Sequence, residues 1–285
     1  MHPKGRIKYM QDTINKSVDR DRLSVLLAVL LLGNVLFQFV DLPQQVWHLQ
    51  PLGSPLEIHL TETTLLIAFM VGLVCTGISL ILQDHPHLMA DPERPIYISW
   101  ILPAFLTGVS VYLLSLSPTL PIWMVGLFLT SLVLGLTISA EYIAVSPNNP
   151  GYPTVRLALN VLAYLLAFVL FTLIYQTRMR SLITGTLTTT TAALLGLNLL
   201  SVGEVPLRQA ALFASIAGLI IGESTWALNY LQIRAWAGGV LLLLIFYLTI
   251  NVAHQYLLES LNSSILGELT IVTILVLAII LVQYL

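Results

Sequence analysis

Long apolar runs of about 20 residues recur along the chain, and they restrict its fold more than any other feature. An α-helix of roughly 20 apolar residues is long enough to cross a hydrocarbon core of about 30 Å. Charged residues make up 9% of the chain, against roughly 25% in soluble proteins, and the mean hydropathy is +0.88. No run alternates as a membrane β-barrel strand would. The sequence therefore predicts an all-α, polytopic transmembrane helix bundle.

About nine spans are predicted, and short loops connect most of them. They lie at about residues 23–40, 60–83, 96–117, 121–145, 154–176, 181–202, 208–231, 235–259 and 265–285. Residues 1–22 form a basic tail, and residues 23–285 are expected to form a single integral membrane domain. No cleavage signal of small residues follows the first apolar run, so we expect it to stay in the protein as a span.

The distribution of lysine and arginine predicts the orientation of the chain. Six basic residues precede the first span. With that tail in the cytoplasm, nine of the twelve basic residues fall on the cytoplasmic side of the predicted spans. We therefore expect a multi-pass protein of the plasma membrane with a cytoplasmic N-terminus, and the lipid bilayer is its first expected partner. The basic residues form no patch on a folded face, so nucleic acid is not an expected partner.

The first two predicted spans are joined by residues 41–59, where several prolines and a glycine exclude a long helix and predict an ordered or extended external loop. Its Leu52-Gly53-Ser54-Pro55-Leu56 segment, together with the His85-Pro86 step after the second span, resembles a family of uncharacterised multi-spanning bacterial proteins. The resemblance implies a bacterial membrane protein. It implies no activity and no functional residues.

The seventh span contains the most informative polar residue, Glu223. A carboxylate at this depth is costly unless it is protonated, paired or turned toward a polar cavity, so it marks a candidate site. Ala214, Gly218 and Gly222 recur every four residues beside it and predict a stripe for close helix packing. Two interpretations of Glu223 are open: it lines a cavity, or it forms a structural hydrogen bond to a neighbouring helix.

Further polar residues lie in or near the last three spans, and we include them as ligand- or proton-binding candidates. They are Asn229, Asn251, His254 and Glu268. Asn251 and His254 are three residues apart and share one helical face, and a histidine can relay protons near neutral pH. The alternative is that His254 and Glu268 lie near helix ends and only reach interfacial water.

Glu141 lies near the end of the fourth span, and Arg156 lies near the start of the fifth, so we predict an ion pair between them. Spans three to five and six to eight also have similar spacing, and each middle helix carries one carboxylate, Glu141 or Glu223. Three spans form an odd number, so two copies would have opposite orientations, as in many secondary transporters. Coincidence among leucine-rich helices is the alternative to such an inverted 3+3 repeat.

Several kinds of chemistry are not predicted. Cys75 is the only cysteine, which excludes an intramolecular disulfide and a metal site with several cysteines. The loop around His85 and His87 contains metal-ligand types without the usual paired spacing. No phosphate-binding loop or hydrolase motif is present. We therefore expect no metal, no cofactor and no catalytic residues.

Five threonines crowd the sixth span between residues 186 and 191. Their hydroxyls are expected to bond back to backbone carbonyls one turn earlier. The alternative is a polar strip that faces Glu223.

Three functions are compatible with these residues. The first is a small carrier or binding protein for a hydrophobic or weakly acidic ligand, with Glu223 as the proton-coupled or ligand-pairing group. The second is a structural or assembly subunit whose small-residue stripe docks other membrane subunits or a second copy. The third is an enzyme for a lipid-linked substrate, with Asp41 or Glu57 as a base.

Overall fold

The computed structural model describes residues 20–37, 45–49, 56–83, 85, 88, 95–177, 181–201, 205–231, 233–258, 267, 270, 271, 273, 274 and 278. Eight helices lie within the described residues: α1 (Arg20–Phe37), α2 (Glu62–Leu82), α3 (Ile98–Ser115), α4 (Leu120–Ala144), α5 (Tyr152–Gln176), α6 (Ser181–Leu200), α7 (Leu207–Asn229) and α8 (Ala235–Leu257). Strands β1 (Gln45–Leu49) and β2 (Leu56–Leu60) lie between α1 and α2.

Among the described residues, seven helices are long and apolar enough to cross a membrane: α2 through α8. They indicate a multi-pass helical membrane protein, as predicted. Helix α1 begins with Arg20, Asp21 and Arg22 and is not among the seven. The predicted ninth span, at residues 265–285, lies mostly outside the described residues. The count of nine spans and the inverted repeat stay predictions.

The connector before α2 contains a short hairpin that the sequence analysis does not predict. Strands β1 and β2 pair antiparallel, with Gln45 opposite Leu60 and Leu49 opposite Leu56. The prolines of this segment predict extended backbone, and the strand pairing supplies hydrogen-bond partners for it.

Contacts between α-carbons divide the chain into two compact units, residues 1–159 and 160–285, and the division lies within α5. In the first unit, α1 contacts both α2 and α4, and α3 contacts α2 and α4. The Arg22 guanidinium donates to Leu80 O over 2.8 Å, which joins the start of α1 to the end of α2. A β-carbon added at Gly77 would overlap Leu26, so this glycine permits the close approach of α1.

In the second unit, α6 contacts α7 and α8 contacts both. The ring of Phe246 on α8 meets Phe171 edge-on at 5.6 Å and Tyr164 at 6.0 Å. Edge-to-face geometry at these separations is favourable for aromatic rings. The aromatic cluster is therefore a core between α5 and α8.

Tyr175 connects α5 to the end of α7. Its hydroxyl lies 2.9 Å from Leu228 O and 3.2 Å from Leu231 O, both near the C-terminal end of α7. The last carbonyls of a helix have no partner within that helix. The backbone N–H groups of Leu231 and Ile233 also donate to these two carbonyls, so the phenol adds a second hydrogen bond to each and attaches α5 to the end of α7.

We expect Tyr175→Phe to lower the free energy of unfolding by about 0.5–1.5 kcal/mol, because it removes the hydroxyl's hydrogen bonds while both carbonyls keep a backbone donor. The measurement is denaturant unfolding of the purified protein in mixed micelles, followed by circular dichroism. Tyr256→Phe is the matched control, because Tyr256 is 58% exposed. Equal unfolding midpoints for the Tyr175 variant and the control would contradict the assigned role.

Candidate functional site

The close crossing of α6 and α7 positions the candidate site. A β-carbon added at Gly218 would lie 2.7 Å from Thr189 O and 2.9 Å from the β-carbon of Ala193. One added at Gly222 would overlap the Thr189 hydroxyl and lie 3.2 Å from Gly185 O. Ala214, one turn earlier on the same stripe, is buried beside Gly196. Small residues on both helices thus let the two backbones approach.

Beside this crossing, α6 and α7 form a groove with a volume of about 490 Å³. Four residues from each helix line it: Gly185, Thr186, Thr189 and Thr190 from α6, and Leu219, Gly222, Glu223 and Trp226 from α7. Leu219 and Trp226 are 58% and 55% exposed and form apolar walls. The volume falls within the range of roughly 300–1,000 Å³ that is typical of small-molecule sites.

Glu223 is the ionisable residue among the described lining residues of this groove. At about 1.5 Å per residue, it lies about 24 Å from Leu207 and about 9 Å from Asn229 along α7. Its side chain is exposed at the surface of the second unit. Within the part of the chain that the structure describes, no hydrogen bond or ion pair joins it to another side chain. The structural hydrogen bond to a neighbouring helix is therefore not observed there.

The threonines of α6 both bond back to their own helix and line the groove that contains Glu223. Thr186, Thr188 and Thr190 each donate to a carbonyl three or four residues earlier, over 3.0, 2.6 and 2.9 Å. The prediction of back-bonding is confirmed for these three. Thr186 and Thr190 also line the groove with Glu223. Since their protons are directed to the backbone, their hydroxyl oxygens offer lone pairs to a ligand.

The predicted asparagines lie on two different helix pairs. The Asn229 amide donates to the buried Thr184 hydroxyl over 3.2 Å and so belongs to the α6–α7 pair. The Asn251 amide nitrogen donates to Tyr247 O over 2.8 Å and lies 3.4 Å from the Tyr164 hydroxyl. The described lining of the groove includes neither asparagine. His254 lies one turn after Asn251 on α8 and is partly buried.

Glu141 is buried in α4, with 4% of its surface exposed, and Arg156 is partly buried in α5. The ion pair between them stays a prediction. Glu268 lies outside the described residues.

A buried polar contact in the first unit was missed by the sequence analysis. His85 and Ser146 are each 4% exposed, and the His85 Nε2 atom lies 3.4 Å from Ser146 Oγ. The His85 ring meets the ring of Tyr142 edge-on at 4.5 Å. His85 and Ser146 are 61 positions apart, so no local pattern could reveal the contact. No group of three metal-ligand side chains occurs among the described residues.

This chain matches a family of known proteins. No curated protein and no solved structure matches the chain. Residues 42–283, most of the chain, match a family described as "Protein of unknown function (DUF5656)". This match confirms the resemblance to an uncharacterised family. The chain therefore belongs to the DUF5656 family of proteins of unknown function.

Proposed function

We propose that this protein binds or carries a hydrophobic, weakly acidic ligand in the groove between α6 and α7. The observation that carries the proposal is the placement of Glu223 in a largely apolar groove of about 490 Å³. We further propose that the protein lies in a bacterial cytoplasmic membrane with its N-terminus in the cytoplasm.

The chemistry of the lining supports a ligand with an apolar body and one polar group. Leu219 and Trp226 offer apolar surface to a chain or ring, while Glu223 and the Thr186 and Thr190 hydroxyls offer hydrogen-bond partners. A carboxylate within hydrocarbon is costly unless it is neutralised or paired. A ligand carboxylic acid that shares a proton with Glu223 would meet this requirement.

The helix crossing argues against the second function, in which the small-residue stripe docks another subunit. Gly218 and Gly222 already contact Thr189 and Ala193 of α6. The stripe is therefore covered by the same chain. A scaffold role would bury Glu223 against a neighbouring helix, whereas Glu223 is exposed in the groove.

The test is equilibrium binding of tritiated palmitic acid to the protein in nanodiscs. We expect Glu223→Leu to weaken binding about tenfold or more, because it removes a hydrogen bond worth about 1.5–3 kcal/mol when one partner is charged. Glu223→Gln keeps an amide that pairs with the ligand but has no proton to exchange. It is expected to bind within a few fold of wild type while losing ligand-dependent proton flux in liposomes.

Ser224→Ala is the matched control, because the Ser224 hydroxyl donates to Ile220 O of its own helix and does not line the groove. Flux is compared with that of protein-free vesicles, since fatty acids cross bilayers unaided. Equal affinities for wild type, Glu223→Leu and Ser224→Ala would refute the proposed role of the groove.

A further inference from the structure

A second cavity lies in the first unit, where α1 and α3 end and α2 and α4 begin. Its volume is about 260 Å³, and its lining is predominantly polar. Its polar and aromatic lining residues are Asn34, Phe37, Glu62, Thr63, Ser115 and Trp123. This volume is just below the range of typical small-molecule sites, which restricts the ligand to a small molecule or a head group.

The charge in this cavity comes from Glu62. The described lining contains no lysine, arginine or histidine. Two helices end and two begin at the cavity, so their macrodipoles oppose one another. Glu62 lies in the first turn of α2 and is the acidic side chain among the described lining residues of this cavity. The cavity is therefore suited to a cation.

The other polar groups offer acceptors. The Asn34 amide nitrogen donates to Leu30 O over 3.0 Å and contacts Met70 Sδ at 3.8 Å, so the amide oxygen is what Asn34 offers a ligand. The Ser115 hydroxyl donates its proton to Tyr112 O over 2.7 Å, so its oxygen can accept a hydrogen bond from a ligand. A carboxylate, an amide oxygen and a hydroxyl oxygen together match the three N–H donors of a primary ammonium group.

Two aromatic rings also line the cavity and can contact a bound cation. Trp123 of α4 and Phe37 of α1 line the cavity, and the Phe37 ring lies 6.0 Å from that of Phe69. Aromatic faces attract ammonium groups, and tryptophan does so most strongly. Tryptophan is also enriched where membrane helices meet the interface.

We propose that this cavity binds a protonated primary amine, either a free alkylamine or the head group of an ethanolamine phospholipid. Glu62 neutralises the charge, Asn34 and Ser115 accept its N–H groups, and Trp123 covers it. This site is separate from the groove of Glu223, so either proposal can fail without the other.

The first experiment compares propylamine with 1-propanol, a neutral molecule of similar size, as competitors of tritiated propylamine on the full-length protein in detergent. At pH 7 the amine is protonated, since alkylamines have a pKa of about 10.4. We expect saturable binding that propylamine displaces and 1-propanol does not. Equal displacement by the two would overturn the proposal, and this comparison needs no variant.

The second experiment uses variants. Glu62→Gln and Trp123→Leu are each expected to weaken propylamine binding about tenfold or more, because each removes a direct partner of the cation. Trp123→Phe retains a ring face and is expected to bind within a few fold of wild type. Asp21→Asn removes a carboxylate from the opposite end of α1 and is the matched control.

The third experiment distinguishes the sources of the amine. Nanodiscs of mixed phosphatidylethanolamine and phosphatidylglycerol are solubilised, and the lipids retained by the protein are measured by native mass spectrometry. Retention of phosphatidylethanolamine that Glu62→Gln abolishes, with no binding of free propylamine, assigns the site to the lipid head group. The absence of both free-amine binding and selective lipid retention would overturn the proposal.

Discussion

Gly222→Leu is expected to separate α6 from α7 and to lower the free energy of unfolding by about 2–3 kcal/mol, a typical cost of overpacking. Any β-carbon at Gly222 overlaps the Thr189 hydroxyl and lies 3.2 Å from Gly185 O. The hydroxyl can rotate away, but the carbonyl belongs to the backbone of α6. Leucine adds three further carbons at that point, so the helices must move apart and the groove is filled.

The cost of a substitution at Gly222 is expected to rise with the size of the side chain that replaces the glycine. Gly222→Ala gains up to about 1 kcal/mol of helix propensity, which offsets part of the overlap, so it is expected to be milder than Gly222→Leu. Thr189→Ala removes the overlapping hydroxyl, and the double variant with Gly222→Ala is expected to be more stable than the sum of the single changes implies.

Gly72→Leu is the matched control, because a β-carbon at Gly72 meets nothing within 4 Å. It is expected to leave the unfolding midpoint unchanged or to raise it slightly. The measurement for all variants is denaturant unfolding in mixed micelles. Equal midpoints for Gly222→Leu and Gly72→Leu would show that the helices do not meet at Gly222.

Phe246→Ala is expected to lower the free energy of unfolding by about 2 kcal/mol. Phe246 is fully buried and contacts the rings of Phe171 and Tyr164. In soluble proteins, Phe→Ala costs about 3–5 kcal/mol, part of which is transfer from water. When a membrane protein unfolds within a bilayer, its side chains stay in lipid and are not transferred to water. The loss of stability in Phe246→Ala therefore comes mainly from the cavity and from the lost ring contacts.

Val252→Ala is the control for this change, because Val252 lies on the same helix and is 44% exposed. It is expected to shift the unfolding midpoint little. A Phe246→Ala midpoint equal to that of Val252→Ala would contradict the assigned core between α5 and α8. Phe246→Leu, which retains most of the apolar volume, is expected to lie between the two.

The sequence predicts the helices of this protein well, because membrane crossing requires both length and apolarity, and both can be read from the chain. The spans at about residues 60–83, 121–145 and 235–259 differ by only a few residues from α2, α4 and α8. The hairpin of residues 45–49 and 56–60 was not predicted, because its register depends on pairing between two separate segments of the chain.

The candidate site was only partly predictable. Glu223 and the threonines of α6 are conspicuous because polar residues are rare in apolar runs. Their common groove depends on the register of α6 against α7, which the sequence does not contain. The cavity around Glu62 was missed because its lining comes from the ends of four helices. In the sequence, each of these ends looks like any other end of a membrane span.

The most direct test of the account is photolabelling of the reconstituted protein with palmitic acid that carries a diazirine near its carboxyl end, followed by peptide mapping. If the ligand binds in the groove between α6 and α7, label concentrates on residues 185–190 and 219–226, and excess palmitic acid displaces it. Label spread evenly over exposed apolar residues such as Phe128 of α4, and not displaced by excess palmitic acid, would contradict it.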